Sequence, residues 1–359
     1  MGVLVCKVSR QTNFFPLYLE RKVKMKAVIQ TAYGAANVLR LQSIDQPIPK
    51  DDEILVRIEA SSVTTADTMM RSGKPRYGRL FLGFFKPRIP ISGTGFSGVV
   101  ESVGKNVSDF KIGESVFGES VLGAGTNTEF VCVPESGVVV KKPDFISHAE
   151  AAPVCDGAMT AMYMLECLGN IKATDKVLIN GAAGSLGSAA VQLAHQIGAD
   201  VTGVCSQRNF DFVRSLGADN VIDYNDTDVT AQMDKYDLIF DSVGKLNYAH
   251  SKRILNKDGS YLSPVLSLSL LFNVLMARLK IVKSRQALFS ATGFLPAHTR
   301  RSMLQKLSEQ LDTGILRTVV DRRYQLVDIV SAHHYLDTGH KRANVVIVMD
   351  DQQEGCQAA

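Results

Sequence analysis

The chain has 359 residues, of which 45% are hydrophobic, so it is long enough to build two domains with buried cores. Its formal net charge of +4 is spread along the sequence rather than gathered in a basic block, so nucleic acid is not expected as its main partner. The 6 cysteines include no Cys-x-x-Cys pair and no metal-site spacing, which favours a reduced, cytoplasmic compartment.

Both ends of the chain are predicted to lie outside the folded part. Residues 1–24 are interpreted as a tail or a mis-started extension, because Met25-Lys-Ala-Val-Ile-Gln reads like the start of a strand. A weak targeting peptide is the alternative, although the segment lacks the clear apolar region and cleavage site of a signal peptide. Residues 351–359 are interpreted as a second tail.

The region from 25 to 150 contains short strand-like runs that Gly, Pro and Asp interrupt. This rhythm predicts a compact β-rich domain with irregular connections. The predicted strands are Ala27–Ile29, Glu53–Ala60, Gly98–Val103, Ser115–Phe117, Glu129–Pro134 and Gly137–Lys141.

Helices and apolar strands alternate from 151 to 296, which predicts an α/β domain with a doubly wound parallel sheet. A helix is expected at 157–168, with strands near 177, 201, 221, 237 and 260. After Pro296 a helix around Ser302–Leu311 precedes strands near Val319 and Val345–Met349. These resemble the first domain, so residues 297–350 are assigned to it together with 25–150.

An uncharged, strongly apolar segment runs from Gly259 to Ala277. Pro264, Asn273 and four serines interrupt it, whereas a membrane span needs about 20 consecutive apolar residues. We therefore predict a buried helix and no membrane span. A substrate lid, a subunit contact and a peripheral membrane contact are the alternatives.

A glycine turn near the middle of the chain, Lys176-Val-Leu-Ile-Asn-Gly-Ala-Ala-Gly-Ser-Leu-Gly187, is typical of a strand, a turn and a helix start. Read as Ala182-x-Gly184-x-x-Gly187, it is a dinucleotide fingerprint whose first glycine is replaced by alanine. Gly184 would let the backbone approach a pyrophosphate, and Gly187 would let the helix pack closely on the strand. Such a turn alone is a weak signal, because ordinary strand-turn-helix units also contain glycines.

The strand that follows, Asp200–Cys205, indicates which dinucleotide binds. An NAD-preferring site carries Asp or Glu at the end of this strand, but here the chain continues as Ser206-Gln207-Arg208. Ser206 and Arg208 supply a hydrogen-bond donor and a cation suited to a 2′-phosphate, so NADPH is the predicted cofactor. The alternative for Arg208 is a solvated surface charge.

Several further motifs accompany the glycine turn. They are Met25-Lys-Ala-Val, Gly93-Thr-Gly-Phe-Ser-Gly-Val-Val100, Gly113-Glu-Ser-Val-Phe-Gly118, Leu216-Gly-Ala-Asp-Asn-Val-Ile-Asp-Tyr224 and Phe240-Asp-Ser-Val-Gly244. Together these motifs resemble the medium-chain dehydrogenase/reductase superfamily, in particular its zinc-independent quinone oxidoreductase branch of zeta-crystallin-like proteins. The resemblance covers about residues 25–350 and implies a GroES-like substrate domain, a Rossmann domain and an active-site cleft between them.

The same resemblance predicts that no metal is bound. Zinc alcohol dehydrogenases of the superfamily carry Cys in a Val-Cys-x-x-Asp segment, where this chain has Thr64. They also carry Gly-His-Glu where this chain reads Gly93-Thr94-Gly95. A lone thiol such as Cys155 cannot hold Zn²⁺.

The resemblance also implies a set of cofactor contacts. Thr160 would lie beneath the nicotinamide ribose, and the loop Ser242, Val243 and Gly244 would pass near the nicotinamide. Tyr224 would join Ser206 and Arg208 around the 2′-phosphate and pack on the adenine, although plain packing or capping remains the alternative for Thr160 and Tyr224. The pyrophosphate would be held by Ala183, Gly184, Ser185, Leu186 and Gly187.

The predicted reaction is hydride transfer from NADPH to a quinone or an α,β-unsaturated carbonyl compound. Without a Lewis acid an electrophilic acceptor is favoured, because donors can meet the charge that develops on its oxygen. Thr64 and Tyr77 are the predicted donors, and Phe81, Phe84, Phe85 and the 266–276 segment the predicted apolar wall. A homodimer is expected. Two alternatives remain: a zinc-free alcohol dehydrogenase, and an NADPH-binding protein with a structural, sensing or RNA-contact role.

Overall fold

A computed structural model describes residues 23–74, 76–120, 125–265, 268–278 and 286–349. The predicted tails lie outside these ranges, apart from the two residues before Met25. The first strand begins at Lys24, one residue earlier than the sequence predicted.

The amino-terminal part of the chain is rich in antiparallel strands. Strands β1 (Lys24–Gln30) and β2 (Leu39–Asp45) form a two-stranded sheet. The next strand, β3 (Glu53–Val63), is followed by helices α1 (Thr65–Ser72) and α2 (Arg79–Leu82). The region ends with β4 (Gly95–Val103), β5 (Ser115–Glu119), β6 (Phe130–Pro134), β7 (Val139–Lys141) and helix α3 (His148–Ala151).

The central part of the chain alternates helices and strands. Helix α4 (Gly157–Met162) continues as a π-helical turn over Tyr163–Leu168, so the helix predicted at 157–168 is present. The strands are β8 (Lys176–Asn180), β9 (Asp200–Cys205), β10 (Asn220–Asp223), β11 (Tyr236–Asp241), β12 (Leu255–Ser263) and β13 (Gln286–Phe289). The helices are α5 (Ser185–Ile197), α6 (Phe210–Ser215), α7 (Tyr248–Ser251) and α8 (Leu268–Arg278).

These six strands form one parallel sheet in the order β10-β9-β8-β11-β12-β13. The order reverses between β8 and β11, which is where such sheets bind ligands beyond the carboxyl ends of their strands. In β8, Leu178 packs into one hydrophobic cluster while Val177 and Ile179 pack into another. Both faces of the strand are therefore covered, as its unbroken apolar run predicted.

The carboxyl-terminal part contains helices α9 (Ala297–Asp312) and α10 (Ile329–Asp337) and strands β14 (Val320–Gln325) and β15 (Asn344–Val348). Both strands join the amino-terminal sheet, whose order is β14-β15-β3-β4-β5-β7, with β6 on β3. Val345 pairs with Val63, so β15 lies beside β3. The fold class is therefore confirmed, while the domain limits at 150 and 296 stay predictions.

The apolar segment from 259 to 277 is not one buried helix, and this prediction was wrong. Its first residues complete β12, where Ser260 to Ser263 pair with β13, and α8 begins only at Leu268. On α8, Leu270 and Val274 are buried but Phe272 is 61% exposed. Apolar composition alone does not distinguish strand from helix or reveal which face is covered. Among the described residues, no helix is long and apolar enough to cross a membrane.

Candidate active site

The glycine turn joins the end of β8 to α5. Gly181 has a φ of +77°, in the left-handed region that favours glycine. The amides of Gly181 and Ala182 both donate to the Val204 carbonyl at 3.0 Å. The residue that must be glycine for the turn is thus Gly181, one position before the fingerprint position at Ala182.

Two glycines of the fingerprint have different surroundings. A Cβ on Gly187 would lie 2.1 Å from the Gly181 carbonyl oxygen, so this position needs glycine for the helix to pack on the turn. A Cβ on Gly184 would meet only that same oxygen, at 3.3 Å. The fold itself therefore makes little demand on Gly184, and its open side is available to a bound group.

Residues 340–344, here called the return segment, lead into β15 and close one side of the glycine turn. Ala343 N donates to the Ala183 carbonyl at 2.7 Å, and Ser185 Oγ donates to Asn344 Oδ1 at 2.5 Å. Lys341 Nζ donates to the Ala343 carbonyl at 2.7 Å. Sequence reasoning missed these residues, because they lie more than 150 positions from the turn and form no motif with it.

The loop after β11 is built around the carboxylate of Asp241, which is fully buried. Its Oδ1 accepts hydrogen bonds from Asn180 Nδ2 at 2.8 Å and from the amides of Val243 at 3.3 Å and Gly244 at 2.9 Å. Its Oδ2 accepts from the Leu246 amide and the Tyr261 hydroxyl, both at 2.8 Å. The carboxylate thus sets the course of residues 242–246.

This loop lies against the glycine turn. Ser242 Oγ donates to the Asn180 carbonyl at 2.7 Å, and a Cβ on Gly181 would lie 2.3 Å from Val243 Cγ2. Gly244 has a φ of +73°, and Val265 packs against it. The structure therefore brings the predicted nicotinamide loop and the predicted pyrophosphate turn together.

The residues predicted around the 2′-phosphate also lie together, at the ends of β9 and β10. Asp223 pairs with Cys205, which places Tyr224 beside Ser206. The turn after β9 is held by the Gln207 amide, which donates to Asp223 Oδ2 at 2.9 Å. Tyr224 is 55% exposed, so its ring is accessible from solvent.

Arg208 is exposed at this end of the sheet, and its Nη2 donates to the His340 carbonyl at 3.3 Å. Arg342, from the same return segment, stacks over the Phe212 ring at 5.1 Å. The return segment therefore contacts Arg208 through His340 and places a second guanidinium, that of Arg342, over Phe212 on α6. The sequence contains no local signal that would have placed it there.

Thr160 lies on α4 and is buried. Its Oγ1 is 2.8 Å from Thr292 Oγ1, in the short turn after β13. The hydroxyl predicted to lie beneath the nicotinamide ribose is therefore already within hydrogen-bond distance of a protein group.

Hydroxyl and carboxylate groups face one another where β3, β4 and α4 meet. Asp156 accepts hydrogen bonds from Ser62 Oγ and, at 2.6 Å, from Thr94 Oγ1. Thr64 caps α1, and its Oγ1 donates to Asp67 Oδ2 at 2.7 Å. Sequence reasoning singled out Thr64 but missed both carboxylates, although Thr-x-x-Asp before a helix is a capping-box signature.

Tyr77, the other predicted donor, lies in the 3₁₀ turn Arg76–Gly78 and is 44% exposed. Its environment thus differs from that of Thr64, which is partly buried and bonded to the buried Asp67. Phe84 and Phe85 are also exposed and pack edge to face at 4.9 Å. The side chain of Phe81 and residues 266–267 of the predicted wall lie outside the described part of the chain.

Burial shifts the titration of the acidic groups in this region. It raises the pKa of Asp67 to about 7, and the neighbouring charge of Asp156 adds to the shift. It also raises the pKa of Asp156, against the hydrogen bonds from Ser62 and Thr94. Burial likewise raises the pKa of Glu119 to about 7 although Arg300 opposes the shift. The site therefore holds acids that change protonation near neutral pH.

Comparisons with known proteins agree with this architecture. Residues 50–144 match a family model described as the alcohol dehydrogenase GroES-like domain, and residues 216–347 match one described as zinc-binding dehydrogenase. The chain is 30% identical to the NAD(P)H oxidoreductase RTN4IP1, mitochondrial, of Danio rerio, over 98% of each chain. The chain belongs to the medium-chain dehydrogenase/reductase superfamily.

Two further relatives place it in the quinone oxidoreductase-like branch of that superfamily. The chain is 31% identical to the 2-methylene-furan-3-one reductase of Solanum lycopersicum, over 90% of this chain and 79% of the relative. The solved quinone oxidoreductase of Coxiella burnetii superposes with a TM-score of 0.80 at 27% identity, over 91% of this chain and 100% of that one. The protein is thus an oxidoreductase of the medium-chain reductase type.

The residues at this site do not fit the zinc ion that one family description implies. Thr64 and Thr94 offer hydroxyl oxygens rather than the thiolate and imidazole that hold catalytic zinc in this superfamily, and Asp156 already accepts two hydrogen bonds. Within the ranges that the structure describes, no group of three His, Cys, Asp or Glu side chains could hold a metal ion.

The two fingerprint glycines provide a matched pair of variants. Gly187→Ala should lower the free energy of unfolding by about 1–3 kcal/mol, because its Cβ would overlap the Gly181 carbonyl oxygen. Gly184→Ala should change stability by less than about 1 kcal/mol but weaken cofactor binding, since its open side faces the predicted pyrophosphate site. Denaturant titration and NADPH fluorescence measure the two effects. Equal stability losses in the two variants would contradict the separate roles of Gly187 in packing and Gly184 in cofactor binding.

Asp241→Asn should destabilise the protein by about 2–4 kcal/mol, because an amide presents two N–H donors to neighbours that are themselves donors. The matched control is Asp237→Asn on the same strand, where the carboxylate accepts hydrogen bonds from Lys176 N and Asn256 Nδ2. Urea unfolding of both variants makes the comparison. A control loss as large as that of Asp241→Asn would show that the loop does not depend specifically on Asp241.

Proposed function

We propose that the protein is an NADPH-dependent, zinc-independent reductase that transfers a hydride to a quinone or an α,β-unsaturated carbonyl compound. The observation that carries the proposal is the dinucleotide cradle formed by the glycine turn and the loop 242–244, together with the Thr64 hydroxyl just after β3, whose last residue pairs with Val345 beside that turn. The reductase and quinone oxidoreductase to which the chain is similar support the same class of acceptor.

The cradle has the features that a dinucleotide needs. Helix α5 begins directly after Gly184, and the amides of a helix's first turn lack acceptors within the helix, so this helix start would favour a negatively charged pyrophosphate. Ser206 and Arg208 would bind the 2′-phosphate, with Arg342 beside them, and Tyr224 would pack on the adenine. Thr160 and the loop 242–244 would orient the nicotinamide, which supplies the hydride when it is bound.

The donor set supports an acceptor that is already electrophilic. Reduction of an alkyl ketone or oxidation of an alcohol relies on strong stabilisation of an alkoxide, which hydroxyl groups provide only weakly. A quinone or enone spreads the developing charge over a conjugated system. Hydroxyl donors such as Thr64, and Tyr77 if the cleft closes over it, are then sufficient.

Three further inferences remain proposals. The cytoplasmic location rests on the cysteine pattern, whereas some relatives are named mitochondrial or chloroplastic. The homodimer and the domain limits, 25–150 with 297–350 around 151–296, rest on the resemblance and on the sequence pattern.

Purified protein with NADPH should reduce benzoquinones and enones, with turnover unchanged after dialysis against EDTA. Consumption of NADPH at 340 nm measures this, with saturated ketones as the matched negative acceptors. Tight NADPH binding without reduction of any acceptor would replace the reductase by a cofactor-binding protein. Reduction of NADP⁺ by simple alcohols would instead favour the zinc-free alcohol dehydrogenase.

Arg208→Ala should weaken NADPH binding by about 10- to 100-fold and leave NADH binding nearly unchanged, because a charge-assisted contact to the 2′-phosphate is lost. Arg214→Ala is the matched control, since it removes the same charge six residues along the chain, in α6, where Arg214 stacks on Phe210. Fluorescence titration with both nucleotides gives the dissociation constants. Equal losses for NADPH and NADH would refute the 2′-phosphate assignment.

A further inference from the structure

Thr64 lies next to both halves of the site. It follows Val63, which pairs with Val345, and the residue before Val345 is Asn344, the acceptor for the Ser185 hydroxyl. Two positions before Thr64, the Ser62 hydroxyl bonds the Asp156 carboxylate at the start of α4. Thr64 therefore follows directly on residues of β3 that are linked to the cofactor turn and to the helix that carries Thr160.

The single proton of the Thr64 hydroxyl is donated to the Asp67 carboxylate. Oγ1 accepts a hydrogen bond from the Asp67 amide at 3.1 Å and donates its proton to Asp67 Oδ2 at 2.7 Å. The Thr64 amide donates to the same carboxylate oxygen at 2.7 Å. While Asp67 is ionised, Thr64 has no proton to offer a substrate.

The surroundings of Asp67 favour its acid form. The side chain is only 2% exposed, and among the described residues its Oδ1 is a buried oxygen without a hydrogen-bond partner. A buried carboxylate with an unsatisfied oxygen is costly, and the like charge of Asp156 increases that cost. The hydrogen bonds from the Thr64 hydroxyl and amide to Oδ2 favour the charged form but do not outweigh burial.

We propose that the acid form of Asp67 releases the Thr64 hydroxyl and replaces its proton, so that the two residues together protonate the reduced substrate. This inference rests on the proposed reductase function. Asp67 acts through Thr64 and is therefore a positioning residue, whereas Thr64 is the group that touches the substrate oxygen.

Reduction of an enone needs one hydride and one proton. The β-carbon receives a hydride from the reduced nicotinamide, which is oxidised, and an electron pair moves onto the carbonyl oxygen. That oxygen takes the proton of Thr64 Oγ1 as Asp67 Oδ2 passes its own proton to Oγ1. Asp67 is left as the carboxylate and recovers a proton from water before the next turnover.

Several charged groups lie around Thr64 and Asp67. Asp156 is the charged neighbour that acts on Asp67, and Lys341 and Glu119 in turn face Asp156. On the same helix as Asp67, Arg71 is paired with Asp337 at 2.8 Å. A change at Asp156 should therefore reach Asp67 through its charge.

The test is the pH dependence of kcat/KM for an enone between pH 5.5 and pH 9, at saturating NADPH. The wild-type value should fall by about 10- to 100-fold above an apparent pKa near 7, because the donor is lost as Asp67 ionises. Asp67→Asn should give a low, flat profile, since an amide does not titrate. Asp156→Asn should move the fall to lower pH by removing the like charge.

Variants of the threonine separate proton donation from helix capping. Thr64→Val should give the low, flat profile, and Thr64→Ser, which keeps the hydroxyl and the cap, should restore the fall with pH. Thr68→Val is the matched control, because its exposed hydroxyl donates to the Thr65 carbonyl and not to Asp67. A fall at the wild-type pH in Asp67→Asn, or a wild-type rate at pH 6 in Thr64→Val, would overturn the proposal.

A second measurement needs neither cofactor nor turnover. Since folding raises the pKa of Asp67 from 3.8 to about 7, wild type should lose unfolding stability relative to Asp67→Asn as the pH rises through this range. A difference that stays constant with pH would contradict the acid form and overturn the proposal. Failure to reduce any quinone or enone at all would instead refute the proposed function, even with this pH dependence present.

Discussion

The buried carboxylate of Asp241 is the contact on which the cofactor side of the molecule depends. It lies at the point where the parallel sheet reverses its order, and it ties the end of β11 to Asn180 on β8 and to Tyr261 on β12. A negative charge remains buried only where donors surround it, and here three of those donors are backbone amides of the loop 242–246. The carboxylate thus joins three strands and shapes the loop beside the glycine turn.

The substrate side is joined to this framework by a segment from the other end of the chain. Ala343 and Asn344 bond the glycine turn, and the next residue enters β15 beside β3. The end of β3, where Thr64 lies, is therefore held in register with the cofactor turn through only a few bonds. A shift of β15 would move both walls of the site relative to each other, which makes the return segment part of the active site rather than a connection.

Much of the cofactor site could be predicted because its signals are local. Gly187 and the buried run of β8 follow from a strand-turn-helix pattern, and the end of β9 lies where the fingerprint places it. The roles of Asp241 and Asn344 could not be predicted, because their partners are set by the sheet order and by a pairing between distant strands. The prediction for the segment 259–277 failed for a related reason, because apolar composition alone did not distinguish the end of a strand from a half-exposed helix.

Thr64 shows where the sequence was informative but incomplete. Its type and position indicated a hydroxyl in the cleft, yet a hydroxyl is a donor only if its proton is not already shared. A zinc ion would present the same positive charge to a substrate at any pH at which it stays bound. A threonine whose proton is shared with a buried carboxyl is a donor in only one protonation state of that carboxyl. Where hydroxyls replace metal ligands, the ability of the site to donate a proton therefore depends on the burial of Asp67 and on the charge of Asp156, since both raise the pKa of Asp67.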